Sequence, residues 1–154
     1  MSDPRNIGRR LEQTQVVERP GASGQTTFFS TGTYVPTYLG GTTAGATTYV
    51  LQQGAWTKIG DLVFVTASIQ WSAATGTGNA QVSLPFTSAN VTNQNHSGSL
   101  WMQNVTFANG TPQILISPNT AFLLMSSPLT NAAATFVAME AAGSIIFSAF
   151  YHFA

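Results

Sequence analysis

The sequence predicts an all-β protein: an antiparallel β-sandwich or jelly-roll knob, residues 31–154, preceded by an extended N-terminal arm, residues 1–30. Three observations lead to this prediction. The body is rich in Thr, Val, Ile, Phe, Tyr and Trp, which favour strands. Gly, Asn and Pro recur there about every eight to twelve residues, as expected of turns between short strands. Seven of the ten charged residues lie in the first nineteen positions, so the arm and the nearly uncharged body differ sharply.

The arm has too few apolar residues to build a core of its own. Arg9–Val17 could form a short helix, but a helix of that length is marginal alone in water. The run Pro20–Gly24 then reads as a hinge before the body. We therefore expect the arm to be ordered only by docking on another protein.

Ten strands are predicted in the body, with turns that include Gly54, Gly60-Asp61 and Asn109-Gly110. The alanine-rich segment 132–142 could also suit a helix, but its alternation favours a strand. The predicted strands lie near 33–39, 46–52, 55–59, 61–71, 79–84, 98–107, 112–117, 120–126, 133–139 and 144–153.

Two of these strands, 61–71 and 144–153, carry apolar residues on both faces. A sandwich strand needs only one buried face, so the second apolar face predicts either a subunit interface or a thicker core with a covering loop. Under the first interpretation the oligomer interface consists of Leu62, Phe64, Ile146, Phe150 and His152.

The composition also favours association. Only 6% of the residues are charged, against about 25% in typical domains, and the formal net charge is zero. The absence of cysteine excludes disulfides and thiolate metal sites. The polar N-terminus does not resemble a secretory signal, no apolar run is long enough to span a membrane, and the charge balance gives no footprint for nucleic acid.

Groups suited to catalysis are scarce in the body. Asp61 and Glu140 are its two carboxylates, and nothing in the sequence indicates that they converge as a glycosidase pair would. His96 lies in a polar loop and His152 in the last strand, without a further metal-ligand type nearby. We expect no metal and no cofactor. The tryptophans could stack on sugar rings, although core or interface positions are the more usual explanation.

Several short motifs resemble a module found in tail-fibre and virion proteins of tailed bacteriophages. They are Gly32–Thr37 with Gly40–Thr43, the segment Gly54–Val65 with its Trp-Thr-Lys-Ile-Gly turn, and Leu84–Asn90, so that the resemblance covers about residues 32–90. It implies a homotrimeric knob on the outside of the particle, assembled in the host cytoplasm, with no enzymatic activity. Within these motifs, we expect Lys58 and Asp61 to pair across the turn, and Leu84 and Phe86 to close the sandwich.

A tail fibre carries a long shaft before its knob, and the sequence has about thirty residues there instead. The prediction is therefore a capsid decoration or cement protein whose arm binds the major capsid protein or another virion protein. The alternative is a tail-fibre or baseplate knob that binds a host surface glycan, with Trp101 and His96 as candidate contacts. The predicted attachment residues of the arm are Arg5, Ile7, Arg9, Arg10, Leu11, Val16, Val17 and Arg19.

Overall fold

The computed structural model describes residues 28–107, 110–129 and 132–154. The predicted arm lies almost entirely outside these residues, as do all eight predicted attachment residues and Asn109 of the predicted hairpin. The described residues form strands and connecting loops, with no helix, and so none that could cross a membrane. The strands are β1 (Phe29–Tyr34), β2 (Tyr38–Gly40), β3 (Thr47–Ile59), β4 (Leu62–Ala74), β5 (Ala80–Ser83), β6 (Gly98–Gln103), β7 (Gln113–Leu115), β8 (Phe122–Leu129), β9 (Ala132–Phe136) and β10 (Gly143–His152).

The strands form two antiparallel sheets. Sheet A has the order β1-β3-β4-β10-β6, and sheet B has the order β2-β5-β8-β7 with β9 paired to β8. The first and last long strands of the predicted body, β4 and β10, are neighbours at the centre of sheet A. The all-β, sandwich-like prediction is therefore confirmed.

Strict alternation in β4 and β10 places one face of sheet A in the core. The inward residues are Val63, Val65, Ala67, Ile69 and Trp71 on β4, and Ile145, Phe147, Ala149 and Tyr151 on β10, all of them buried. Removing these side chains from water is the main driving force for closing the sandwich.

The far end of the core is held by an aromatic pair that joins the two sheets. Trp71 on β4 stacks on Tyr38 on β2, with ring centroids 4.0 Å apart. Both rings also contact the same loop residue: the Trp71 Nε1 donates to the Glu140 carbonyl, and the Glu140 amide donates to the Tyr38 hydroxyl. Burial raises the pKa of Tyr38 to about 12, so this hydroxyl stays protonated at neutral pH.

The prediction of a turn at Gly54 is wrong, because residues 47–59 form one continuous strand, β3. Gly54 lies opposite Tyr34 of β1, and a Cβ at this position would come within 2.3 Å of the Tyr34 ring. The glycine therefore makes room for an aromatic ring that crosses it, not for a turn. The turn at Gly60 is confirmed, with a φ of 63°, and the strand predicted at 133–139 is present in part as β9.

The near end of the sandwich is closed by Leu84 and Phe86, as predicted. Leu84 is buried, and the ring of Phe86 contacts Trp56 and Phe153. The predicted pairing of Lys58 with Asp61 is not found. Lys58 lies on the inward face instead, where its Nζ sits 3.7 Å from the centroid of Phe153 and 4.2 Å from that of Phe86. This cation–π contact suits a lysine that two aromatic rings shield from water.

Candidate functional site

The outward face of sheet A is the most unusual surface of the described residues. All five residues predicted as an oligomer interface lie on it: Leu62 and Phe64 on β4, and Ile146, Phe150 and His152 on β10. The exposed fractions of its large apolar side chains are 56% for Phe29, 46% for Ile59, 52% for Trp101, 49% for Ile146 and 55% for Phe150. No covering loop among the described residues conceals these side chains, so the alternative of a thicker core does not account for them.

Phe29 and Ile59 extend this face beyond the predicted set. They are paired with each other across β1 and β3, and Ile59 is paired with Leu62 of β4. The sequence does not indicate them, because Phe29 falls within the predicted arm and Ile59 is only the last residue of the short strand predicted at 55–59. The alternation in β1 was the available signal, since Phe29, Thr31 and Thr33 share one side of the strand.

The strand register arranges the outward residues in rows across the sheet. One row contains only small side chains and forms a shallow groove, which we call the trough. It is bordered on one side by Phe64 and Phe150, whose ring centroids are 4.5 Å apart and which we call the aromatic ridge. On the other side it is bordered by Ile146 and Trp101, which are directly paired. The trough consists of Thr33, Ala55, Thr66, Ser148 and Ser99.

The trough is sizeable and carries no charge. The groove that contains it has a volume of about 990 Å³ and is lined by neutral residues, among them Gln53 and Ser68. Hydroxyl and amide groups thus line this groove together with Ile146 and Trp101, while the aromatic ridge lies beside the trough and is not part of the lining. Such a surface can accept either another neutral protein surface or a neutral polar ligand.

The two candidate glycan contacts are not close together. Trp101 lies on the outward face, beside the trough. His96 lies before the start of β6, where its backbone bridges to Ile116, the residue after β7, and its ring contacts Tyr151 and His152. A single ligand site that includes both side chains is therefore not formed.

A small polar cluster lies at the His96 end of the sandwich. The Nδ1 of His152 is 3.0 Å from the Asp61 carboxylate, and the ring centroids of His96 and His152 are 5.8 Å apart. Burial, with a smaller contribution from the nearby His152, lowers the pKa of His96 below its usual value. No group of three or more His, Cys, Asp or Glu side chains that could hold a metal occurs in the described part of the chain.

The two carboxylates of the body are far apart. Asp61 directly precedes β4, whereas the Glu140 carbonyl is bonded to Trp71 near the other end of the same strand. Leu62 and Trp71 are nine residue steps apart along the extended strand, which is roughly 30 Å. Within one copy, this separation is too large for the two carboxylates to flank one scissile bond.

No protein-family model matches this chain, and no curated protein matches it. The fold is similar to part of a solved tailspike. The crystal structure of Dettilon tailspike protein (gp208) matches with a TM-score of 0.62 and 16% sequence identity. The match covers 82% of this chain and 24% of the tailspike chain, so this chain spans about a quarter of the length of the protein it matches.

The tailspike match overturns one prediction. The chain was expected to be non-enzymatic because of its resemblance to phage knobs and its lack of charged groups in the body. That expectation is wrong. The same fold occurs as part of a tailspike, and a fold of this kind does not exclude catalysis. The geometry of the described residues does not by itself identify a catalytic group.

Proposed function

We propose that this chain is a structural protein of a bacteriophage virion and that its β-sandwich is a knob of the tail. The observation that carries this proposal is the fold shared with a tailspike over 82% of the chain. The sequence motifs in residues 32–90 support the same class of protein, and this support is independent of the fold similarity.

Head decoration is the second candidate, and the uneven charge distribution favours it. Four arginines and several apolar residues occur in the first nineteen positions, where they could bind a capsid surface. The tail is the better choice because the fold similarity is to a tailspike.

Immunogold labelling of intact virions, with antibodies raised against residues 28–154, tests the location. The proposal predicts label confined to the tail. Label spread over the head would overturn the tail location in favour of decoration, and virions without label would overturn the virion role altogether.

Attachment through the N-terminal arm is a further part of the proposal, and it can be tested in the full-length chain. Replacing Arg5, Arg9, Arg10 and Arg19 by serine removes the positive charge of the arm without altering any described residue. We expect this variant to fold normally and to lose binding to virions that lack the protein. A matched variant with Lys58→Ser, which removes the remaining cation, should still bind. Normal binding of the arginine variant would contradict the role of the arm.

A further inference from the structure

We propose that a second copy of this chain packs against the outward face of sheet A, with the aromatic ridge of each copy seated in the trough of the other. This interface goes beyond the proposed function and does not depend on it, because it would form in solution whichever part of the virion holds the protein.

The exposed apolar area is of the size that a stable interface requires. A large aromatic side chain has roughly 150–250 Å² of surface, so the half-exposed Phe29, Trp101 and Phe150 present about 100 Å² each. With Ile59 and Ile146, the face offers roughly 450 Å² of apolar surface. A standard interface buries about 800 Å² per partner, of which a little over half, or about 450 Å², is apolar. The largest apolar patch on a monomer is about this size and is often functional.

The charge distribution indicates which partner fits. Residues 28–154 contain only three Lys, Arg, Asp or Glu residues: Lys58, which points into the sandwich, Asp61, which lies at its end, and Glu140, which lies in a loop. The ridge and the trough are therefore neutral, and a strongly charged partner would lose hydration there without gaining ion pairs. A second copy presents the same uncharged, apolar and hydroxyl-bearing face.

The shape of the face is self-complementary. Residues two apart on a strand are roughly 7 Å apart, so the aromatic ridge and the Ile146–Trp101 row lie about 13 Å from each other, with the trough between them. Phenylalanine rings fit into a gap of this width. A two-fold axis in the interface plane, parallel to the rows and midway between ridge and trough, places each ridge over the trough of the partner. Stacked sheets about 10 Å apart require this kind of interdigitation.

The same axis brings the outermost apolar row of each copy over Ile146 and its neighbours in the other copy. That outermost row contains Phe29, Ile59, Leu62 and His152. All three apolar rows of the face would then be covered at once, which a contact limited to the ridge would not achieve. The arrangement is isologous, since each residue contact occurs twice, and it therefore pairs two copies. This differs from the homotrimer that the resemblance to phage knobs implies.

The experiment measures the molar mass of the full-length chain by sedimentation equilibrium between 1 and 100 μM. We expect a monomer–dimer equilibrium, and a trimer would contradict the two-fold arrangement. Phe150→Ser removes the more exposed of the two rings of the ridge. It should raise the dissociation constant by at least about 100-fold, since about 100 Å² of apolar surface is lost from each copy. Ser148→Trp fills the trough and should have an effect of the same size. Phe136→Ser is the matched control, because Phe136 is also exposed but lies on β9 of the other sheet.

Near-UV circular dichroism of each variant confirms that it is folded. A monomeric wild-type chain at 100 μM would overturn the proposal, and so would association that Phe150→Ser and Ser148→Trp leave unchanged or that Phe136→Ser weakens equally. If the wild type is monomeric and Trp101→Ala abolishes adsorption of the phage to its host, the trough is a receptor site and not an interface between copies.

Discussion

The contact between Trp71 and the loop at Glu140 leads to a quantitative prediction. Trp71→Phe keeps a buried aromatic ring but removes the Nε1–H that donates to the Glu140 carbonyl over 3.0 Å. The lost hydrogen bond costs about 1 kcal/mol, and the smaller ring leaves a cavity beside Tyr38 that costs about another 1–2 kcal/mol. The free energy of unfolding should therefore fall by about 2–3 kcal/mol.

Trp101→Phe is the matched control for this substitution. The chemical change is the same, but Trp101 is half-exposed on the outward face of the monomer. The expected effect on the free energy of unfolding of the monomer, measured at a concentration below that of self-association, is within about 0.5 kcal/mol. Urea unfolding followed by far-UV circular dichroism, at one protein concentration for all variants, measures both values. The reasoning would be refuted by a Trp71→Phe variant as stable as the wild type, or by equal losses for the two variants.

Two further predictions concern the tyrosine hydroxyls of the core and the partly buried His96. The Tyr34 hydroxyl is buried without a hydrogen-bond partner among the described residues, whereas the Tyr151 hydroxyl donates to the Phe86 carbonyl over 3.0 Å. Tyr34→Phe should therefore leave the melting temperature unchanged or raise it, and Tyr151→Phe should lower the stability by about 1 kcal/mol; the reverse order in a thermal melt would contradict this. The lowered pKa of His96 means that the folded state takes up a proton less readily than the unfolded state. Above the unfolded pKa of about 6.5 the histidine is neutral in both states, and its protonation does not affect stability. As the pH falls below this value, the unfolded state binds the proton more readily and the folded state is destabilised. His96→Gln should reduce the loss of melting temperature between pH 7.5 and pH 5, and an identical pH profile would refute this role.

Much of the fold could be predicted because local pattern and tertiary burial agree. The alternation in 61–71 and 144–153 identified the central strands, and their second apolar face identified five residues that do lie together on the surface. That inference worked because the period of a strand fixes which residues share a face, whatever the neighbouring strands are.

The remaining features depend on register, which the sequence does not state. Gly54 looked like a turn because glycine is a turn residue, but its place opposite Tyr34 is known only once β1 and β3 are paired. The trough is likewise assembled from five strands, each of which contributes one unremarkable small residue. Lys58 was expected to pair with Asp61, the nearest acid in sequence. Its side chain points inward instead and contacts the ring of Phe153.

The central claim is that the outward face of sheet A is covered by another copy of the chain. Hydroxyl-radical footprinting of the full-length protein tests it directly, with oxidation of individual residues measured by mass spectrometry at 1 and 100 μM. The account predicts that Trp101 and Phe150 become protected at the higher concentration, while the exposed Phe136 and Val91 are oxidised equally at both. Equal oxidation of Trp101 and Phe150 at the two concentrations would contradict it.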